Sequence, residues 1–436
     1  MNSFTRKFLL VFAGLVLGVM IGVGQSVSAK RANTLPLEDI RTLSEVFGKI
    51  KDNYVEDIPD KTLLENAIRG MLTGLDPHSS YLDQSSFKEL RVGTSGEFGG
   101  LGIVVGMQDG FVKVISPIDD TPAQKAGIKA GDLIIRLGDT PVKGMSLDEA
   151  VKIMRGKPGT EIKLMIVREG EDKPLEIPVK RDKIRVKSVR SKELDKGYGY
   201  VRISQFQQRT TKDLRKAISK LTKDNKGKLK GLVLDLRNNP GGLLDSAVTV
   251  SDTFLTKGGI VSVKGRTKSD QLSHKATPLD MTKGAPIVVL VNAGSASASE
   301  IVAGALQDHK RAVIMGEKTF GKGSVQTVVP LGNQTAIKLT TARYYTPLGR
   351  SIQAKGIEPD IVLDNLKVSE NGKNFDRIKE ADLKKHLEND TDKKSKENDA
   401  KNARNARINL AKEDYALYEA LNLLKGLHLL NSASKK

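Results

Sequence analysis

Pro286-Ile287-Val288-Val289-Leu290-Val291-Asn292-Ala293-Gly294-Ser295-Ala296-Ser297-Ala298-Ser299-Glu300-Ile301 decides how this 436-residue chain is read. From Pro286 to Val291 the run is apolar without alternation, the mark of a strand buried on both faces. Asn292-Ala293-Gly294 turns the chain, and the serines that follow open a helix. Working outward, β-like runs at Gly231 to Leu236, Ala312 to Met315 and Val325 to Val329 alternate with helical stretches between Gly199 and about Val362, which predicts an α/β layer domain. A strand-to-helix junction exposes a serine beside free N–H groups and positive potential, both favourable to an oxyanion. Serine is also a preferred N-cap, so at least one of Ser295, Ser297 and Ser299 is expected to be structural.

A serine nucleophile needs a base. His309 lies twelve residues beyond Ser297, about 18 Å along a continuous helix, and Asp308 lies roughly 16 Å away, so neither reaches. The segment Gly316-Glu317-Lys318-Thr319-Phe320-Gly321-Lys322-Gly323-Ser324-Val325-Gln326 is a better source. Glycines on both sides of Lys322 permit close backbone approach, and a desolvated lysine can lose its charge and accept a proton. An exposed Lys318 would lack that shift. Gly316 and Gly321-Lys322 also have the spacing of a phosphate-binding loop, but Gly323 stands where a hydroxyl must meet Mg²⁺, and the following residues look β-like. Nucleotide binding is therefore set aside.

Composition excludes other chemistries. The absence of Cys removes thiol nucleophiles and thiolate metal sites, and none of the five His has H-E-x-x-H spacing. No metal or organic cofactor is expected. The net charge of +19 suggests an acidic partner, but the basic residues are spread along the chain, aromatics are 4% and Trp is absent, so no nucleic-acid role is expected.

Residues 1–29 read as an export signal: Arg6 and Lys7 precede an apolar stretch from Phe8 to Gly24, and Val27-Ser28-Ala29 resembles a cleavage site. The signal is either cleaved after Ala29 or kept as a membrane anchor, and both place the bulk in the periplasm or bacterial envelope. In an N-terminal helical region (30–95), Ile40, Leu43, Phe47, Ile50 and Tyr54 form an apolar stripe that Pro59 ends, and a second helix closes at Gly74. Packing against that neighbour and self-association both remain open for the stripe. Residues 96–182 change to short β-like runs with one helix from Ser146 to Arg155, started by the Ser146–Glu149 capping box. Beyond the α/β region (183–364), residues 365–407 read as a charged, solvated linker, lacking any aromatic or any aliphatic side chain larger than Ala between Glu388 and Arg407. Leu417, Leu421 and Leu424 mark a last helix (408–436), either core-packing or a docking element.

Gly99-Gly100-Leu101-Gly102-Ile103, with Thr121-Pro122-Ala123 and Ala126-Gly127-Ile128-Lys129-Ala130-Gly131-Asp132-Leu133-Ile134, resembles a PDZ domain. The chemistry suits Gly100, Leu101, Gly102 and Ile103: consecutive N–H groups can hold a terminal carboxylate while the adjacent strand edge pairs with a peptide. Together with the serine junction, Thr319-Phe320-Gly321-Lys322-Gly323, Leu75-Asp76-Pro77-His78-Ser79-Ser80-Tyr81, Asp235-Leu236-Arg237-Asn238-Asn239-Pro240-Gly241-Gly242 and Tyr344-Tyr345-Thr346-Pro347-Leu348-Gly349-Arg350-Ser351-Ile352-Gln353, it resembles the carboxy-terminal processing proteases. The resemblance implies a crotonase/Clp-like layered α/β core with an inserted PDZ domain, Ser297 as nucleophile, Lys322 as general base and Gln326 orienting the lysine. It implies oxyanion donors at the amides of Ala298, Gly241 and Gly242. Arg155 matches a family arginine coupling the PDZ domain to the active site, or simply caps its helix. The family also implies homo-oligomers through terminal helices, protein substrates with accessible C-termini, and for some envelope members a helical-repeat lipoprotein adaptor. The competing reading is a non-catalytic PDZ scaffold in the envelope.

Overall fold

The computed structural model describes residues 36–118, 120–364, 366 and 407–433. The expected export signal and most of the expected linker lie outside these residues. The chain divides into two compact units, Met1–Leu75 and Asp76–Lys436. In the first, the helices Leu37–Asn53 and Asp60–Thr73 form where the 3.6-residue pattern predicts. Pro59 sits at the N-cap of the second helix, and no residue of the first is buried. Ile40, Leu43, Ile50 and Tyr54 of the stripe are exposed.

In the second unit, an antiparallel sheet runs in the order Ile103–Gln108, Phe111–Pro117, Leu133–Leu137, Glu161–Val167, Leu175–Lys180. Its core holds Val112, Val114, Ile134, Leu164 and Ile166. The helix Leu147–Met154 closes it, with the Ser146–Glu149 capping box formed. Glu97–Gly100 pairs antiparallel with Asp182–Arg185, so the chain leaves this module beside the point where it enters. That is how an inserted domain sits in a continuous fold.

A second sheet runs Val189–Asp195, Tyr198–Ile203, Gly231–Asp235, Ile287–Val291, Val313–Gly316, Ile361–Val362. Its first pair is antiparallel and the rest parallel. Side chains alternate between two buried faces, which is why these strands read as unbroken apolar runs. Leu232, Leu234, Ile287 and Val289 point to helices Thr210–Asp224, Leu244–Asp252 and Ala298–Asp308. Val233, Val288, Leu290 and Met315 meet Leu417, Ala420, Leu421 and Leu424 of Tyr415–Ala433. The last helix is therefore a core-packing element. A third, antiparallel sheet joins Ser80–Leu82, Ala336–Tyr345, Gly259–Gly265 and Gln271–Lys275, with Ser324–Pro330 also on Ala336–Tyr345. This layering carries the loops after Asp235, Val291 and Gly316 to the carboxyl ends of the parallel strands, where α/β sheets place their sites.

Candidate active site

The helix after Val291 begins at Ala298, with Ser297 at its N-cap. Ser297 has φ 55° and ψ −110°, a left-handed backbone for a side chain with a Cβ, and such strain of about 1–3 kcal/mol persists only where the surroundings enforce it. The neighbouring serines are structural. Ser295 Oγ donates to the Leu236 carbonyl at 2.8 Å, and Ser299 Oγ donates to the Asn239 carbonyl at 2.9 Å. The Ser297 hydroxyl meets Tyr344, whose phenol is pushed up by burial and eased back by its hydrogen bond with Ser297.

The carboxylate of the capping box belongs to Glu300, a residue to which the sequence alone gives no role. Its carboxylate is fully buried and accepts four hydrogen bonds. Oε2 takes the Ser297 N–H at 2.7 Å and the Lys322 N–H at 2.9 Å, while Oε1 takes the Thr319 hydroxyl at 2.6 Å and the Gly321 N–H at 2.7 Å. All four partners are donors, which fits the anion even though burial raises its pKa. One side chain thus ties the backbone of the candidate nucleophile to that of the candidate base. The Ser297-x-x-Glu300 spacing is a capping-box signal that could have revealed it. Thr319, 22 residues beyond Ser297, carried no comparable signal.

The glycines around Lys322 are needed for close approach: a Cβ at Gly323 would lie 2.4 Å from the Gln353 nitrogen, and Gly321 has φ 94°. Lys322 is half-buried. Burial first, and then the charge of Lys338, lower its pKa, against a smaller opposing effect of Asp76. His78 is close enough to feel it, since burial and then the Lys322 charge lower the imidazole. Lys318 is exposed and paired with Glu358 at 2.5 Å. Gln326 Nε2 donates to Ser324 Oγ at 2.9 Å and Thr340 Oγ1 at 3.3 Å. Among the described residues, no side-chain hydrogen bond joins Lys322 to Ser297 or to Gln326.

Gly241, at φ 103°, leaves no room for a side chain: an added Cβ would lie 2.8 Å from Ser297 Cβ and 3.0 Å from the Ala298 nitrogen. Its own N–H, expected as an oxyanion donor, instead donates to Asn239 Oδ1 at 2.9 Å. That expectation is corrected, because the Asn239 side chain already satisfies the amide. The N–H groups of Ala298 and Gly242 have no acceptor given among the described residues. His309 binds the Gly259 carbonyl at 2.6 Å and Asp308 pairs with Arg350, both away from Ser297.

In the inserted module, Ile103–Gln108 is an edge strand. A cavity of about 110 Å³ lies between it and the Leu147–Met154 helix, lined by Gly100, Leu101, Gly102, Ile103, Val151 and Arg155 among others. Arg155 is the C-cap of that helix and stacks on Phe98, 5.1 Å from the ring centre. Among the described residues no group of three or more His, Asp or Glu could hold a metal, and no helix is long and apolar enough to cross a membrane.

Three family models match the chain. Peptidase family S41 matches residues 197–363, the PDZ domain family matches 99–179, and the activating protease CtpB N-terminal domain matches 21–86. The carboxy-terminal-processing protease of Bartonella bacilliformis is 47% identical over 426 residues, covering 97% of this chain and 96% of that one. The carboxy-terminal processing protease CtpA of Bacillus subtilis is 41% identical over 321 residues, 73% and 68% of the two chains. A solved photosystem II D1 C-terminal processing protease aligns with a TM-score of 0.44 and 35% identity, covering 73% of this chain and 86% of that one.

Proposed function

Since the chain belongs to the carboxy-terminal processing proteases of peptidase family S41, and so is a serine-type peptidase with a PDZ domain, we propose that Ser297 and Lys322 form its catalytic dyad. The PDZ module captures a substrate C-terminus: the Leu101 and Gly102 amides hold the carboxylate, and the free edge of Ile103–Gln108 takes the peptide as an added strand. Neutral Lys322 accepts the Ser297 hydroxyl proton as Oγ bonds to the scissile carbonyl carbon, while the Ala298 and Gly242 N–H groups receive the oxyanion. Lys322 then protonates the departing amine, and a water that gives its proton to Lys322 releases the acyl group. Gln326 orients the lysine. The dyad hydrogen bond forms as substrate is engaged, since such bonds often tighten only then.

The observation that carries this reading is the division among the serines. Ser295 and Ser299 give their hydroxyls to backbone carbonyls, whereas the Ser297 hydroxyl is given to no backbone carbonyl among the described residues, meets Tyr344, and stands on a strained backbone tied by Glu300 to the Lys322 loop. Its test is cleavage of an unfolded protein with an apolar C-terminus. Ser297→Ala is expected to abolish turnover while Ser295→Ala and Ser299→Ala retain it at reduced stability; proteolysis by Ser297→Ala would reject the assignment.

The same proposal extends to setting and assembly. Residues 1–29 export the protein to the periplasm or envelope. Residues 30–95, 96–182, 183–364, 365–407 and 408–436 act as helical region, PDZ domain, protease core, linker and terminal helix. The exposed stripe of Ile40, Leu43, Ile50 and Tyr54 supports self-association, and a helical-repeat lipoprotein is a candidate adaptor. Arg155, stacked on Phe98 at the rim of the peptide groove, is placed to report occupancy of that groove.

A further inference from the structure

The segment from Asp76 to Ser80 has no part in the chemistry above, yet it lies against the catalytic loop. Its strand, Ser80–Leu82, pairs antiparallel with Lys338, Ile337 and Ala336, which carries Asp76 to Thr340. Thr340 Oγ1 donates to Asp76 Oδ1 at 3.1 Å. The Thr340 N–H donates to Ser79 Oγ at 3.1 Å, and Ser79 Oγ in turn donates to Asp76 Oδ2 at 2.7 Å. The His78 and Ser79 amides add bonds to Oδ1 at 2.8 and 3.0 Å. On the other side of Thr340 lies the Gln326 amide.

The direction of this chain follows from counting protons. The bond from Ser79, with the others, holds the Asp76 carboxyl below its ordinary pKa, and a carboxylate only accepts. Thr340 has one hydroxyl proton, and it goes to Asp76. Thr340 therefore has only a lone pair to offer Gln326, so it must meet the NH₂ end of that amide. The Ser324 hydroxyl receives the same NH₂. The carbonyl Oε1 is the end left for another donor: a lysine ammonium offers only N–H groups, and the neutral amine, whose lone pair is committed to the Ser297 proton, likewise has only N–H groups left for the amide. A flipped amide would set N–H against N–H.

We infer that Asp76 is a positioning residue that, through Thr340, selects which end of the Gln326 amide is presented to Lys322. The inference rests on the dyad reading, which gives Gln326 its task.

Kinetics on fluorescein-labelled casein, with a thermal melt for each variant, test it. Thr340→Val keeps shape but removes the hydroxyl, and is expected to lower kcat roughly tenfold with KM within about twofold. Thr340→Ser should restore kcat. Asp76→Ala should lose at least as much as Thr340→Val, and if it melts below the assay temperature the Thr340 series decides. In a Gln326→Ala background, Thr340→Val should cause no further loss, because no amide remains to be steered. Wild-type kcat in Thr340→Val, or independent multiplying losses in the double variant, overturns the relay. Lys322→Ala separates the two failures: an active Lys322→Ala defeats the dyad and the relay with it, whereas an inactive Lys322→Ala beside a fully active Thr340→Val defeats the relay alone.

Discussion

In the proposed dyad Lys322 must be uncharged to act, and its surroundings work toward that. Burial and the neighbouring Lys338 lower its pKa, and only Asp76 pulls the other way. Because the neutral form is the base, kcat is expected to fall as pH drops through the lysine's lowered pKa and to level off above it. Lys322→Arg should lose at least about a thousandfold, since a guanidinium stays protonated at accessible pH. A pH–rate profile of the wild type beside a single-turnover assay of Lys322→Arg checks both, and normal turnover in the variant contradicts the dyad. At this scale the sequence pointed to Ser297 and Lys322 as candidates, and the structure brings their backbones together on Glu300. The sequence placed Asp76 and Tyr344 in family motifs without giving them a task and was silent on Thr340, because these residues reach the site only through contacts across as many as 264 residues. The Gly241 amide misled because the Asn239 side chain that occupies it is two residues away in sequence, in a turn whose conformation no pattern fixes.

Elements were legible in proportion to their periodicity. Doubly buried strands announce themselves as apolar runs, and capped helices by their boxes. The role of the last helix was not, because its stripe reads the same whether it faces its own sheet or a partner. The structure resolves this with packing and with ion pairs, Lys425 to Asp195 and a part-buried one from Arg237 to Asp414. Arg237, in the loop leading to Gly241 and Gly242, binds Asp414 with contacts of 2.9 and 2.7 Å and also binds Asp235. Burial would raise the Asp414 carboxyl, but the Arg237 bonds and charge outweigh it and hold it low. A depressed carboxyl stabilises above its ordinary range and loses that contribution as pH falls through the lowered value. Asp414→Asn is therefore expected to cost about 2 kcal/mol near neutral pH. Urea unfolding of the two proteins should converge in acid; a difference independent of pH would show that packing, not the ion pair, docks the helix.

For the molecule as a whole, the proposed function assigns substrate choice and bond cleavage to different modules of one chain. Peptides identical except for a free or amidated C-terminus should differ in affinity for the full-length protein by roughly tenfold or more, as loss of a charge-assisted contact of about 1.5–3 kcal/mol requires. Calorimetric titration with Ser297→Ala, which cannot consume the peptide, measures this, and equal affinities would remove carboxylate capture from the account. The division into modules was visible in the sequence as a change of texture near Gly96 and again near Asp182, because a small antiparallel sheet and a doubly covered parallel one need different spacings of apolar residues. The ribbon formed by Glu97–Gly100 and Asp182–Arg185 makes that division a mechanical one. The recognition head hangs from the hydrolase like a pendant from a single clasp, and grafting a foreign head between those two strands would redirect the scissors to new cargo without recutting the blade.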